Sequence, residues 1–296
     1  MQANLFEKPV NVGKSSVEYA SVKSILTRAS GFMSTYDYTL NPYSGCTFGC
    51  TYCYAAFFVR DKLKQDEWGR WVKVKENALQ LMIKKRKRPI VGKTIYMSSV
   101  TDPYQPIEKK LQLTRGLLHE LATYHKPRLF VQTRSPLVTR DIDLFKEIGD
   151  VQVNMTITTD SEEVRMAFEP MCPSNKVRLK AIKEIHEAGI AACITLTPLL
   201  PVINPHDFAR DLVATGISRF IIQPFHVTKG KFVAGTRKQA LELVHKLGWN
   251  RERYQEVLEI IKAYIPTIGE GKEGFDPAAR YEGRAGNMDS GTASNA

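Results

Sequence analysis

The sequence predicts an α/β fold built on a parallel sheet. Strand-like and helix-like segments alternate about six times, which argues for strands joined by right-handed helical crossovers. One strand, Val151–Thr159, is unambiguous: Val151, Val153, Met155 and Ile157 alternate with Gln152, Asn154, Thr156 and Thr158. The length of 296 residues is ordinary for an α/β barrel.

The elements follow in order. Residues 1–35 are polar without a sustained period and read as an extended N-terminal arm with a short helix near Val22–Arg28. A first strand at Tyr36–Leu40 feeds a cysteine-rich loop. Glu76–Lys85 reads as a helix with Ala78, Leu79, Leu81 and Met82 at apolar positions, stopped by Pro89. Thr94–Ser98 is a second strand. Leu113–Tyr124 is a helix with Leu117, Leu118 and Leu121 on one face. Arg128–Thr133 is a strand and Arg140–Ile148 a helix. In Val151–Thr159 the apolar set should pack on outer helices, and the polar set should line an interior, as in a barrel that holds a polar cofactor. Asn175–Ala188 is a helix closed by Gly189. Ile190–Thr197 is a strand with Cys193, Thr195 and Thr197 on one face, and Arg219–Pro224 is the sixth. Gln239–Leu247 and Arg251–Ala263 read as helices. From Gly269 the chain is rich in Gly, Ala, Ser, Asn and charge, and disorder is expected. The expected organisation is an arm (1–35), a barrel (36–226), a helical extension (227–266) and a disordered tail (267–296).

Composition narrows the class. Hydrophobic residues at 43% suffice for a sizeable core. Five cysteines, three of them clustered, do not form a secreted disulfide framework. No signal-peptide pattern and no run of about 18 apolar residues occurs, so a soluble, cytoplasmic protein without membrane contact is expected. The formal charge of +11 suggests a polyanionic partner such as nucleic acid. The densest basic run, Lys84-Lys85-Arg86-Lys87-Arg88, also suits a solvated helix end, where cations oppose the helix dipole.

The chemistry centres on Asn41–Ala55. Cys46, Cys50 and Cys53 stand at Cys-x3-Cys-x2-Cys spacing, and Gly45 and Gly49 let the loop wrap. Thiolates select zinc or iron–sulfur clusters. A closed zinc site or ordinary four-iron cluster wants four protein ligands, so three leave one metal position open. A zinc knuckle borrowing a histidine and a disulfide cluster are the alternatives, although the six histidines show no paired metal spacing. His226, after the sixth strand, is the one histidine placed to reach the site.

The string Asn-Pro-Tyr-x-Gly-Cys-x-x-x-Cys-x-Tyr-Cys-Tyr resembles the radical S-adenosylmethionine (SAM) enzymes, in the branch that includes spore photoproduct lyase. The resemblance covers about Tyr36 to Phe225. It implies a partial (β/α)6 TIM-like barrel with chemistry at the C-terminal ends of the strands. It implies a [4Fe-4S] cluster on Cys46, Cys50 and Cys53, with SAM on the fourth iron. One electron then cleaves SAM to a 5′-deoxyadenosyl radical that abstracts hydrogen. Tyr52 would stack near the cluster or present its backbone to the adenine. Many family members have Gly-Gly-Glu after the second strand. Here the string is Ser98-Ser99-Val100-Thr101-Asp102-Pro103-Tyr104-Gln105-Pro106, similar to the lyase-like proteins. Ser98 or Ser99 would receive the methionyl ammonium. Asp102 would do the same or serve as a turn former before proline. Arg134 stands where the lyases have a Lys that meets the SAM carboxylate. Arg178 is similar to an arginine that binds this carboxylate in several members, and Glu169 would pair with Arg178 or receive the ammonium. Asn154, Thr156 or Thr158 would bond the ribose, and Thr197, Pro198 and Leu199 would border the adenine. Cys193 and Cys172 are candidate hydrogen-atom donors, by likeness to the lyase, against the alternative of small apolar fillers. Two cysteines remain after the three ligands, too few for a second four-cysteine cluster.

The resemblance implies a radical SAM enzyme with a reductant such as flavodoxin or ferredoxin. The basic balance and the lyase resemblance together point to a nucleic-acid or nucleotide substrate. Modification of a small metabolite or peptide is the rival, and a metal-bearing nucleic-acid-binding module is the rival outside enzymes. A shared fold does not fix the reaction.

Overall fold

The computed structural model describes residues 8–225 and 237–278. Among the described residues twelve strands form two sheets. They are β1 (Asn11–Val12), β2 (Ser15–Ala20), β3 (Leu26–Arg28), β4 (Tyr38–Leu40), β5 (Tyr43–Ser44), β6 (Trp71–Lys75), β7 (Thr94–Met97), β8 (Arg128–Thr133), β9 (Val151–Thr156), β10 (Ala191–Leu196), β11 (Arg219–Ile222) and β12 (Gly269–Glu270). The larger sheet has the order β12-β11-β10-β9-β8-β7-β4-β3 and does not close on itself. Its six central strands, β4 and β7 to β11, are parallel and coincide with the six expected from sequence. Helices Ala78–Lys84, Leu113–Glu120, Ile142–Ile148, Asn175–Glu187 and Pro205–Val213 supply the crossovers. Side-chain caps start several helices: Ser161 accepts from Val164 N, Ser174 from Val177 N and Asn250 from Arg253 N. The architecture is a partial (β/α)6 barrel. Among the described residues no helix is long and apolar enough to cross a membrane.

Both ends of the chain differ from expectation. No helix forms near Val22–Arg28. Instead β3 pairs antiparallel with β4, and β2 pairs parallel with β6 in a second sheet of order β1-β2-β6-β5. This sheet has its own core of Val17, Tyr43, Val72, Val74 and Ile107. The arm is therefore held through pairing with a strand some fifty residues later, a partnership that no local period shows.

At the other end, residues 269–278 are structured rather than disordered. β12 joins β11 in parallel and a helical turn, Gly271–Gly274, follows. A Cβ on Gly269 would lie 2.9 Å from the Gly274 Cα, and one on Gly274 would lie 2.8 Å from the Ile221 side chain. At Gly269 and Gly274 the backbone packs too closely for any side chain. The rest of the expected tail lies outside the described residues.

All six residues of β9 are buried. Val151, Val153 and Met155 join the main core. The polar set bonds within the barrel: Gln132 Nε2 donates to Thr156 Oγ1 (2.7 Å) and Thr195 Oγ1 (3.0 Å), and Gln152 Nε2 to Asn154 Oδ1 (2.7 Å). A separate cluster of Tyr36, Tyr96, Phe130, Cys193, Ile221 and Phe275 plugs the N-terminal end of the barrel. Tyr36 Oη donates to the Phe275 carbonyl at 2.6 Å, so the C-terminal segment completes this plug.

Candidate active site

The loop Asn41–Ala55 leaves β4 at the C-terminal end of the barrel, where α/β barrels carry their chemistry. Gly45 and Gly49 have φ of 75° and 61°. A Cβ on Gly45 would meet the Trp71 ring at 2.6 Å, so the loop lies directly against β6. The string after β7 clamps it. Thr101 Oγ1 donates to the Gly45 carbonyl (2.6 Å), Gln105 Nε2 to the same carbonyl (3.4 Å), and Thr47 N donates to Gln105 Oε1 (3.0 Å).

The opposite side of the loop docks on the turn after helix Glu162–Phe168. Thr51 N donates to the Phe168 carbonyl at 2.8 Å, Tyr52 Oη donates to Glu169 Oε1, and the sulfurs of Cys50 and Cys172 lie 3.6 Å apart. Three consecutive loop residues are thus each fixed to one turn.

Cys46 and Cys50 are buried and Cys53 is half-buried. Burial pushes the Cys46 thiol well up and the Cys53 thiol to about 11. Cys50 is pulled down, first by its contact with Cys172 and then, against burial, by the charges of Arg134 and Arg178. Among the described residues no three His, Cys, Asp or Glu converge on the geometry of a single metal ion. A zinc ion would draw its sulfurs to about 2.3 Å from one point. A four-iron cluster places each thiolate on its own iron. Three loop thiols at Cys-x3-Cys-x2-Cys spacing would serve three irons of such a cluster and leave the fourth open.

Buried polar groups adjoin the loop. Ser98 has φ of 80° and is buried, and its Oγ has no hydrogen-bond partner among the described residues. Ser99 Oγ accepts from Asn41 Nδ2 at 3.2 Å. Glu169 is fully buried between two guanidiniums. Arg134 Nε lies 3.4 Å from Oε1 and Arg178 Nη2 2.5 Å from Oε2, the latter without hydrogen-bond alignment. Burial alone would raise the Glu169 carboxyl, but Arg178 and Arg134 outweigh it and hold it at about 2. One carboxylate faces two guanidiniums, which leaves positive charge for an anion.

The two arginines divide the work. Arg178 is fully buried, and its Nε and Nη1 donate to the carbonyls of Pro173 (2.8 Å) and Thr156 (3.1 Å). It sits behind Glu169, so the expected carboxylate contact through Arg178 is corrected to a positioning one. Arg134 keeps 20% of its side chain exposed and donates to Tyr52 Oη at 2.9 Å. Tyr52 is therefore fixed by its hydroxyl between Arg134 and Glu169.

Other expectations move as well. Asp102 accepts from Thr133 Oγ1, Arg134 N and Tyr104 N, each at 2.8 Å. It ties the end of β7 to the end of β8, with two of these bonds on Oδ1 and one on Oδ2, a geometry that suits the turn-forming role. Cys193 belongs to the aromatic plug, where burial pushes its thiol to about 12. Its register partners are Asn154 of β9 and Arg219, the first residue of β11, one rung before Thr195. Full burial among these side chains suits the small apolar filler that the sequence offers as the alternative. Cys172 contacts Cys50 instead of the opening. Thr158 Oγ1 donates to Glu169 Oε1 at 3.1 Å, and Asn154 and Thr156 join the interior network. Thr197 is half-buried, whereas Leu199 is in the core with its N bonded to the Gln223 carbonyl at 2.8 Å. His226 lies outside the described residues.

Two groups escaped the sequence reading. Tyr54, next to Cys53, is 47% exposed and donates its hydroxyl to the Ser99 carbonyl. Its place in the cysteine motif was a usable signal. Arg237 is held below the usual guanidinium range by burial, against the nearby Cys53, Asp66 and Cys50, and nothing local marks it.

A family model described as the radical SAM superfamily matches residues 40–213. An uncharacterized protein of Methanocaldococcus jannaschii is 41% identical over 164 residues, 55% of this chain and 61% of that relative. This chain thus spans less than two thirds of that relative's length. An uncharacterized protein of Acidianus two-tailed virus is 30% identical over 238 residues, 75% of each chain. A radical SAM Nα-GlyT isomerase of Pseudomonas phage M6 is 27% identical over 175 residues, 58% of this chain and 35% of that protein. Among solved structures, a tyrosine-to-phenylalanine mutant of spore photoproduct lyase aligns with TM-score 0.59 and 15% identity, covering 92% of this chain and 88% of the lyase. The lyase complexed with a dinucleoside spore photoproduct aligns with TM-score 0.57 and 15% identity, covering 87% and 82%.

Proposed function

Because the chain belongs to the radical SAM superfamily, and is an enzyme of that class, we propose that it abstracts hydrogen from a nucleic-acid or nucleotide substrate. The single observation that carries the cofactor reading is the juxtaposition of three loop thiols with a buried carboxylate between two guanidiniums. Cys46, Cys50 and Cys53 would hold a [4Fe-4S] cluster. Bound there with SAM, the cluster supplies a hydrogen-abstracting 5′-deoxyadenosyl radical.

The chain's own residues bind and orient. Ser98, whose buried Oγ lacks a partner among the described residues, hydrogen-bonds the methionyl ammonium, with Ser99 beside it. Arg134 grips the SAM carboxylate, and Arg178 holds Glu169 so that the pair keeps Arg134 in place. Glu169 also stands within reach of the ammonium. Asn154, Thr156 and Thr158 exchange interior hydrogen bonds for the ribose hydroxyls, and Thr197 borders the adenine. A low-potential reductant such as flavodoxin or ferredoxin delivers the electron. The charge of +11 supports a polyanionic substrate, and the structurally similar lyase has been solved with a dinucleoside spore photoproduct bound.

The test is anaerobic reconstitution with iron and sulfide, reduction, addition of SAM and measurement of 5′-deoxyadenosine. About four irons per chain and product formation, both lost in a triple Cys46/Cys50/Cys53→Ala variant, are expected for a cluster of this type. Bound zinc, together with salt-sensitive nucleic-acid binding that survives the triple variant, would establish a binding module instead.

A further inference from the structure

We propose that Cys172 tunes the cluster: its thiol donates a hydrogen bond to the Cys50 sulfur and holds the cluster's reduction potential at a less negative value. The inference rests on the cluster reading above.

The geometry points to a built contact. The two sulfurs are 3.6 Å apart and 122 residues apart in sequence, and both residues are buried. The turn that carries Cys172 is pinned from within and from without. Cys172 N donates to the Glu169 carbonyl at 3.0 Å. Arg165 Nη1 donates to the carbonyls of Glu169 (3.1 Å) and Cys172 (2.8 Å), while its Nε pairs with Glu162 at 2.6 Å. Outside, the Thr51–Phe168 and Tyr52–Glu169 bonds flank the sulfur pair on the cluster loop. The Cys172 thiol therefore has one place to be, beside Cys50.

That place suits a donor and not a ligand or a radical quencher. Two thiolates on separate irons would repel at this separation, whereas a thiol and a thiolate attract. With 7% of its surface exposed and its sulfur turned to Cys50, Cys172 does not face the opening where a substrate radical would form. A hydrogen bond to a ligand sulfur draws electron density from the cluster and favours its more negative, reduced form, which raises the potential. The reductant that suffices for this enzyme is then set partly by a residue that touches neither SAM nor substrate.

The test compares wild type, Cys172→Ala and Cys172→Ser after anaerobic reconstitution, by iron content and by redox titration followed with electron paramagnetic resonance. Wild type is read first: if it forms no cluster, the cluster reading and this inference fall together. With the wild-type cluster present, Cys172→Ala is expected to keep its iron and shift its midpoint to more negative potential. Cys172→Ser, whose hydroxyl still donates, is expected to recover part of that shift. An unchanged midpoint in Cys172→Ala overturns the inference alone. Loss of iron confined to Cys172→Ala overturns it in favour of ligation. Should Cys172→Ala fail to fold, the wild-type protein still decides: Fe–S stretching modes in resonance Raman spectra are expected to shift on exchange into D2O, and unmoved modes would refute the S–H···S bond.

Discussion

Glu169 shows how much a single buried carboxylate can organise. It binds Tyr52, Thr158, Arg134 and Arg178 at once. Its folded-state pKa of about 2 lies below the ordinary 4.5, so the stability it contributes is full above about pH 4.5 and is lost as pH falls toward 2. Glu169→Gln should remove that segment of acid sensitivity. It should also weaken the protein at neutral pH by about 3–5 kcal/mol, because two guanidiniums are left unbalanced. Thermal melting across pH 2 to 7 checks both; a variant whose melting temperature falls with acid just as steeply as wild type contradicts this account. Gln105 offers a second residue-scale test. It is fully buried and accepts from Thr47 N inside the cluster loop. Gln105→Ala leaves that amide without its partner, a cost of about 1–3 kcal/mol. Iron retained per chain should fall while the circular dichroism spectrum stays native.

At the scale of elements, the cluster loop is a wrap that β6 makes possible. Gly45 meets two demands: φ of 75° and a Trp71 ring where a side chain would begin. Gly45→Ala should cost about 1–2 kcal/mol for the left-handed backbone and a further 1–3 kcal/mol or so for the clash. Gly149, with φ of 87° and nothing within 4 Å of its would-be Cβ, is the control. Gly149→Ala should lower the melting temperature through its own backbone strain, with no clash, and leave iron loading intact, whereas Gly45→Ala should lose both stability and iron. Equal effects on loading would mean that the wall formed by Trp71 does not shape the site.

For the whole molecule, an open barrel must be closed at its lower end by something other than strands. Phe275 does this from the C-terminal segment, in edge-on contact with Phe32 at 5.6 Å and Tyr96 at 6.4 Å. Phe275→Ala should cost about 3–5 kcal/mol. The folded fraction should still cleave SAM, because the plug lies at the end of the barrel away from the cysteines. A lost melting transition with intact helical content would indicate that the segment also sets the barrel's overall packing.

What the sequence by itself determined is what is local. Cys46, Cys50 and Cys53 are legible because eight adjacent positions carry the ligand spacing, and the six parallel strands because alternation and helix stops are written within each segment. The tertiary structure alone decided which polar groups meet. Arg178 reads like a carboxylate ligand until it is seen behind Glu169, and Asp102 is shown to join β7 to β8 only once the three donors on it are seen. Cys172 reads like a free thiol until it is placed against Cys50, and the glycine-rich segment from Gly269 reads like a loose tail until β11 is seen beside it. The deciding partner is 122 residues away for Cys172 and more than thirty for Asp102, and even Glu169, nine residues before Arg178, lies beyond the helix that carries it. Hydrogen-bond and charge partnerships at that distance are set by packing, which no window of sequence contains.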